Sequence, residues 1–224
     1  MGARVFSSSS TIFSALNRLL LHPAAKPSVF LFALTPFLWL AYAALTDPSA
    51  LLGANPAETL IRNTGELALR FLCATLAITP LRTWTGWQAL ARLRRMLGLF
   101  AFFYATLHFL CFAWLDMGLD LEAIVADIVK RPFILVGTAA LLGMLPLAAT
   151  SFNRAIKTLG ARRWQALHRA IYGVAGLALL HFFWMRSGKN DFGDVAVYGA
   201  ILAVLLGWRL WKWLQTLRKH PDTK

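Results

Sequence analysis

The sequence predicts an all-α fold: a polytopic membrane bundle of six transmembrane helices with both termini cytoplasmic. Three observations carry that expectation. The 224-residue chain is 58% hydrophobic and 15% charged, with a mean hydropathy of +0.57, too little charge to solvate the surface of a water-soluble domain. Six apolar runs approach the ~20 residues that one helical crossing of a bilayer needs. The basic residues gather in alternate connections, as the positive-inside rule requires.

Residues 1–27 form an N-terminal arm, cytoplasmic or interfacial, that includes SSSS and then TIFSALNRLLLH. No small-residue cleavage site follows a clean apolar core there, so the arm does not read as a cleavable signal. The expected spans are Ser28–Thr46, Asn63–Thr79, Leu97–Leu115, Phe133–Thr150, His168–Met185 and Val195–Leu214. Together, residues 28–214 make one transmembrane domain, and 215–224 form a basic cytoplasmic tail. The short connections suit a compact helical bundle. Strands are not expected, because an open sheet edge has no hydrogen-bond partner in lipid. Most of the nine tryptophans lie near span ends, where an interfacial belt places them. Cys73 and Cys111 fall within spans and read as small apolar packers.

The net charge of +13 is unevenly distributed. Arg4, Arg18 and Lys26 lie on the arm, and Arg82, Arg92, Arg94 and Arg95 between spans two and three. Arg154, Lys157, Arg162 and Arg163 lie between spans four and five, and Arg209, Lys212, Arg218, Lys219 and Lys224 at the C-terminal end. The opposite face holds Arg62, Lys130, Arg131, Arg186 and Lys189, with Asp47, Glu58, Asp116, Asp120, Glu122, Asp127, Asp191 and Asp194. This asymmetry orients the chain and favours anionic lipid over nucleic acid as the partner of the basic face.

His22 and His220 sit in basic flanks. His108, His168 and His181 lie within the expected spans, where ionisable groups are costly and mark functional sites. Taking the cytoplasmic starts after Arg95 and Arg163, a rise of 1.5 Å per residue puts His108 roughly 20 Å deep, His168 about 8 Å and His181 about 27 Å. His108 and His181 are thus the better matched pair. A haem iron accepts one axial nitrogen from each side, and its porphyrin is a flat apolar plate suited to a bundle core. Ala101, Ala105 and Ala178, on the histidine-bearing faces, offer room for such a plate, although small residues also serve ordinary helix packing. On one ideal helix His168 and His181 stand roughly 140° apart, with Gly173 and Gly176 as places for a bend. His168 then binds iron at an open coordination position, shares or re-pairs His108, or acts with Arg169 as an anion-binding pair near the cytoplasmic rim. Glu66 and Arg70 are four residues apart in the order that favours a helical ion pair. No Walker loop, dinucleotide fingerprint, metalloprotease helix or serine elbow is present.

Three blocks carry a resemblance: RNTGELALRFLCATLAITPLR, RRMLGLFAFFYATLHFLCF and RRWQALHRAIYGVAGLALLHFFW. They resemble the haem-binding membrane subunits of periplasmic methionine sulfoxide reductase systems, within the ferric reductase-like transmembrane family. The likeness extends over nearly all of the chain after about residue 28. It implies that His108, His168 and His181 are ligands of b-type haem, one or two in number. It also implies FMN as a cofactor, with no site assigned. Electrons would come from the quinone pool or a cytoplasmic flavin reductase. They would cross the bacterial inner membrane to a soluble molybdopterin reductase, MsrP, that repairs oxidised periplasmic proteins. The larger ferric reductases carry four haem histidines in two matched pairs, and this chain has three. The acidic connections Asp116–Asp127 and Asp191–Asp194 are candidate docking surfaces, or simply counter the basic face. Two rival readings use the same residues: a small transporter or proton channel with relaying histidines, and a non-catalytic membrane anchor.

Overall fold

A computed structural model describes residues 17–188 and 190–219. Arg4, the serine run, His220 and Lys224 lie outside the described residues, as do Lys189 and the side chain of Lys219. Among the described residues six helices are long and apolar enough to cross a membrane, and no strand occurs. The all-α, six-span expectation therefore holds. The helices are α1 (Ala25–Thr46), α2 (Pro56–Thr85), α3 (Ala91–Cys111), α4 (Pro132–Ala149), α5 (Ile171–Ser187) and α6 (Gly193–Lys219). The chain divides into two compact units, residues 1–119 and 120–224.

In the first unit, α2 starts where Asn55 accepts a hydrogen bond from the Glu58 N–H at 3.2 Å and Pro56 takes the first helical position, where its missing N–H costs nothing. It stops at Gly86, whose φ of 74° places it in the left-handed region that glycine enters without penalty. Before α2, Asp47 caps the short helix Pro48–Leu52, accepting from the Ala50 N–H and the Ser49 hydroxyl. Those bonds hold its carboxyl below the usual carboxylate range.

The core of this unit is aromatic. Phe100 and Tyr104 of α3 stack with Phe71 of α2, with Phe30 and Phe37 of α1 and Phe103 of α3 around them. Tyr104 is fully buried, and its hydroxyl reaches the backbone of α1. It donates to the Ala33 carbonyl at 2.7 Å and accepts from the Phe37 N–H at 3.2 Å. Ala33 and Phe37 are the i and i+4 partners of one helical rung, flanking Pro36. A side chain inserted into the ladder beside a proline is how a helix is bent and held.

The second unit opens with an amphipathic helix, Leu121–Lys130, inside what the sequence marks only as an acidic connection. Asp120 caps it by accepting from the Glu122 and Ala123 N–H groups, and Arg131 pairs with Asp127 at 2.9 Å. Helix α4 packs along α5, close enough that a methyl on Gly143 would meet Val174 at 3.0 Å. Arg186, at the end of α5, is buried. It donates to Asp191 at 2.6 Å and Asp194 at 3.1 Å, and lies over the Phe182 ring. It thereby ties α5 to the start of α6.

One element differs from the expectation of an unbroken fifth helix. Residues Ala161–His168 form their own short helix, joined to α5 through a turn at 169–170. Within that turn the Ala170 N–H bonds to Leu167 and the Tyr172 N–H to Arg169, both three residues back, a tighter winding than the α-helix. The angle of roughly 140° derived for one ideal helix therefore does not apply. Gly173 and Gly176, proposed as bend sites, lie inside the regular α5.

Candidate metal-ligating histidines

His108 sits one turn before the end of α3. Its Nδ1 donates to the Ile61 carbonyl of α2 at 2.8 Å. A carbonyl oxygen can only accept, so Nδ1 carries the proton and Nε2 holds the lone pair. The ring lies against Gly65: a methyl placed there would stand 2.9 Å from Nδ1 and 3.0 Å from Cε1.

His181, in the middle of α5, repeats the arrangement. Its Nδ1 donates to the Phe133 carbonyl of α4 at 2.6 Å. A methyl on Gly137 would stand 2.7 Å from Nδ1 and 2.8 Å from Cε1. In both cases the glycine lies four residues after the accepting carbonyl. Helical Cβ atoms tilt toward the N-terminus, so a side chain at that place overhangs the oxygen the ring must reach. Gly65 and Gly137 are the site residues that sequence reasoning missed. Their only signal is a glycine inside an apolar run, which is common in membrane helices.

His168 is held differently. Its Nδ1 donates to Trp164, one turn back on its own short helix, at 3.0 Å, and its ring stacks on Trp164 with centroids 3.8 Å apart. Trp164 is fixed in turn by donating to the Thr150 carbonyl. Among the described residues the buried His168 Nε2 has no hydrogen-bond partner, and Arg169 beside it is exposed.

A ring nitrogen with its proton committed to a carbonyl is how proteins fix a ligating histidine. The bond sets the tautomer, orients the ring and raises the basicity of the other nitrogen. All three histidines meet that description. Among the described residues no group of three or more His, Cys, Asp or Glu side chains could hold a metal ion together. Each of the three therefore fits as a single imidazole donor to an iron whose remaining ligands a haem would supply.

The small residues near the histidines have unequal roles. Ala101 is buried and serves packing, whereas Ala105 and Ala178 are only partly covered. Glu66 and Arg70 form the expected ion pair, at 2.6 Å, continuing the register of Glu58 and Arg62 at 3.6 Å.

The model of the ferric reductase like transmembrane component matches residues 64–180. The methionine sulfoxide reductase haem-binding subunit MsrQ of Polaromonas naphthalenivorans is 61% identical over 89% of this chain and 90% of its own. The MsrQ subunit of Herminiimonas arsenicoxydans is 53% identical over 84% and 85%. The chain belongs to the MsrQ group of the ferric reductase-like transmembrane family. It is a multi-pass bacterial membrane protein, as the sequence predicts. The MsrQ subunit of Xanthomonas campestris is 46% identical over 87% of this chain and 89% of its own. The family match includes Gly65, His108, Gly137 and His168 and ends one residue before His181. No solved structure matches.

Proposed function

We propose that the chain is a membrane electron-transfer subunit that carries b-type haem. It takes electrons from the quinone pool or a cytoplasmic flavin reductase. It delivers them to a periplasmic methionine sulfoxide reductase subunit, MsrP, for the repair of oxidised proteins. One observation carries the reading: in each unit a span histidine is locked by its Nδ1 to the backbone of a neighbouring helix, with its lone pair on Nε2. In this reading His108 and His181 would hold one haem, as the depths expected from the sequence suggest. His168, with its unpartnered Nε2, is the ligand for a second haem or an open position at the basic rim. FMN belongs to the proposal through the family resemblance alone.

Bound haem supplies reversible one-electron transfer, its potential set by axial ligands and burial. Reducing a sulfoxide to a thioether and water takes two electrons and two protons, so the subunit transfers twice per product. The chain's own task is to hold the ligands still and exclude water. With the termini cytoplasmic, the acidic segments Asp116–Asp127 and Asp191–Asp194 face the partner's side.

The rival reading, a proton channel or transporter, needs histidines that exchange protons through both ring nitrogens. A ring whose Nδ1 proton is tied to a backbone carbonyl offers only one, which counts against a relay through His108 or His181. The test is haem quantitation and dithionite-reduced spectra of His108→Ala, His181→Ala and His168→Ala, purified separately. We expect the low-spin signal to vanish in the first two and change mildly in the third. Loss of haem in His168→Ala together with its retention in His181→Ala overturns the pairing. A folded, colourless wild-type protein overturns the function.

A further inference from the structure

Two pairs of helices, one in each unit, solve the same steric problem in the same way. The accepting carbonyls belong to Ile61 and Phe133, and the residues four places on are Gly65 and Gly137. Other glycines of the spans do not share this role. Gly143, on the same helix as Gly137, faces the Val174 methyl rather than a ring, and Gly173, Gly176 and Gly207 meet nothing within 4 Å among the described residues.

We propose that Gly65 and Gly137 are positioning residues for the haem ligands: each is kept bare so that a histidine can reach the carbonyl four residues earlier. This rests on the haem reading above. Any side chain at either place pushes the imidazole off its carbonyl. The ring then loses the bond that raises its basicity, and Nε2 turns away from its set direction. A less basic ligand stabilises ferric iron less, so the reduction potential of the ligated haem rises. The clash is tighter at Gly137, 2.7 Å against 2.9 Å at Gly65, so the effect is larger there. Contacts this short are relieved by moving the ring, since the opposing backbone is helical.

Gly65→Ala, Gly137→Ala and Gly143→Ala test this, in purified protein and in membranes. The readouts are haem content, the low-spin resonance by electron paramagnetic resonance, and a redox titration. Gly137→Ala is expected to keep the fold while shifting the low-spin resonance and raising the midpoint potential. Gly65→Ala follows in the same direction with a smaller shift. Gly143→Ala, which probes packing of the same helix pair without touching a histidine, leaves the resonance and potential of its bound haem unchanged. An unaltered signal and potential in both Gly65→Ala and Gly137→Ala overturns the proposal, as does an equal shift in Gly143→Ala. If Gly137→Ala does not accumulate, the milder Gly65→Ala decides alone. These outcomes are separate from the histidine substitutions: haem lost from His108→Ala and His181→Ala with unshifted glycine variants would leave the ligands assigned and remove the cradle.

Discussion

The two units hold His108 and His181 by the same kind of bond, Nδ1 to a carbonyl of the neighbouring helix, but hold the helices that carry them by different means. Helix α3 buries Leu93, Met96, Phe100, Ala101 and Tyr104, and its aromatic face is locked to α1 and α2. Helix α5 buries Val174, Ala175 and Arg186, two small apolar side chains and a cation. Stability in a protein is local, and thinly packed elements open first. In the proposed reading His108 is therefore a ligand set on a well-packed helix. His181 sits on a helix held by the Phe133 carbonyl, by close packing on α4 at Gly137 and Gly143, by the Phe182–Tyr198 and Phe183–Phe192 ring contacts and by the Arg186 clasp. In the same reading, haem held by His181 would stabilise its helix more than haem held by His108 stabilises α3.

The largest expected effect follows from that difference. Removing haem, or growing cells starved of it, should reduce hydrogen-exchange protection of α5 amides far more than that of α3. Equal loss in both helices would break the comparison. Next in size is Tyr104→Phe. It deletes a fully buried hydroxyl that bonds both the Ala33 carbonyl and the Phe37 N–H, at a cost of about 1 kcal/mol. Thermal unfolding in detergent should show this as a lower midpoint. The low-spin spectrum of protein that remains folded should be unchanged, because the histidine contacts lie elsewhere. A spectrum that shifts with Tyr104→Phe would mean that the α1–α3 staple, and not the α2 carbonyl alone, sets the His108 ring.

Much of the architecture was legible because membrane insertion is a compositional constraint. Apolar length gave all six spans, and the Glu66–Arg70 pair followed from helical spacing alone. The three histidines stood out as polar groups in apolar runs. What remained hidden depends on pairings between distant residues. Nothing local says that Gly65 faces His108, 43 positions away, or that Tyr104 bonds α1. The joint at 169–170 was also invisible: neither residue is a glycine or proline, and the two glycines that looked like hinges are regular helix. His168 is the instructive case. Its place within a candidate span was correct, yet its orientation is set by Trp164 and a short helix of its own.

The smallest expected effect concerns the Arg186 clasp. Arg186 is buried, but Asp191 and Asp194 are about half exposed, so solvent screens much of the attraction. Arg186→Gln keeps much of the length of the side chain and some hydrogen bonding while removing the charge. It should cost about 1 kcal/mol, read as a small drop in the unfolding midpoint. That drop should shrink at high salt, because the charge-dependent part is already screened there. Its value for the comparison lies in where the loss appears. If α5 is as thinly held as its packing indicates, loosening its C-terminal end should broaden the resonance of a haem ligated by His181, five residues away. A cost that leaves the haem signal sharp would show that the Phe133 carbonyl and Gly137 fix His181 without help from the helix end.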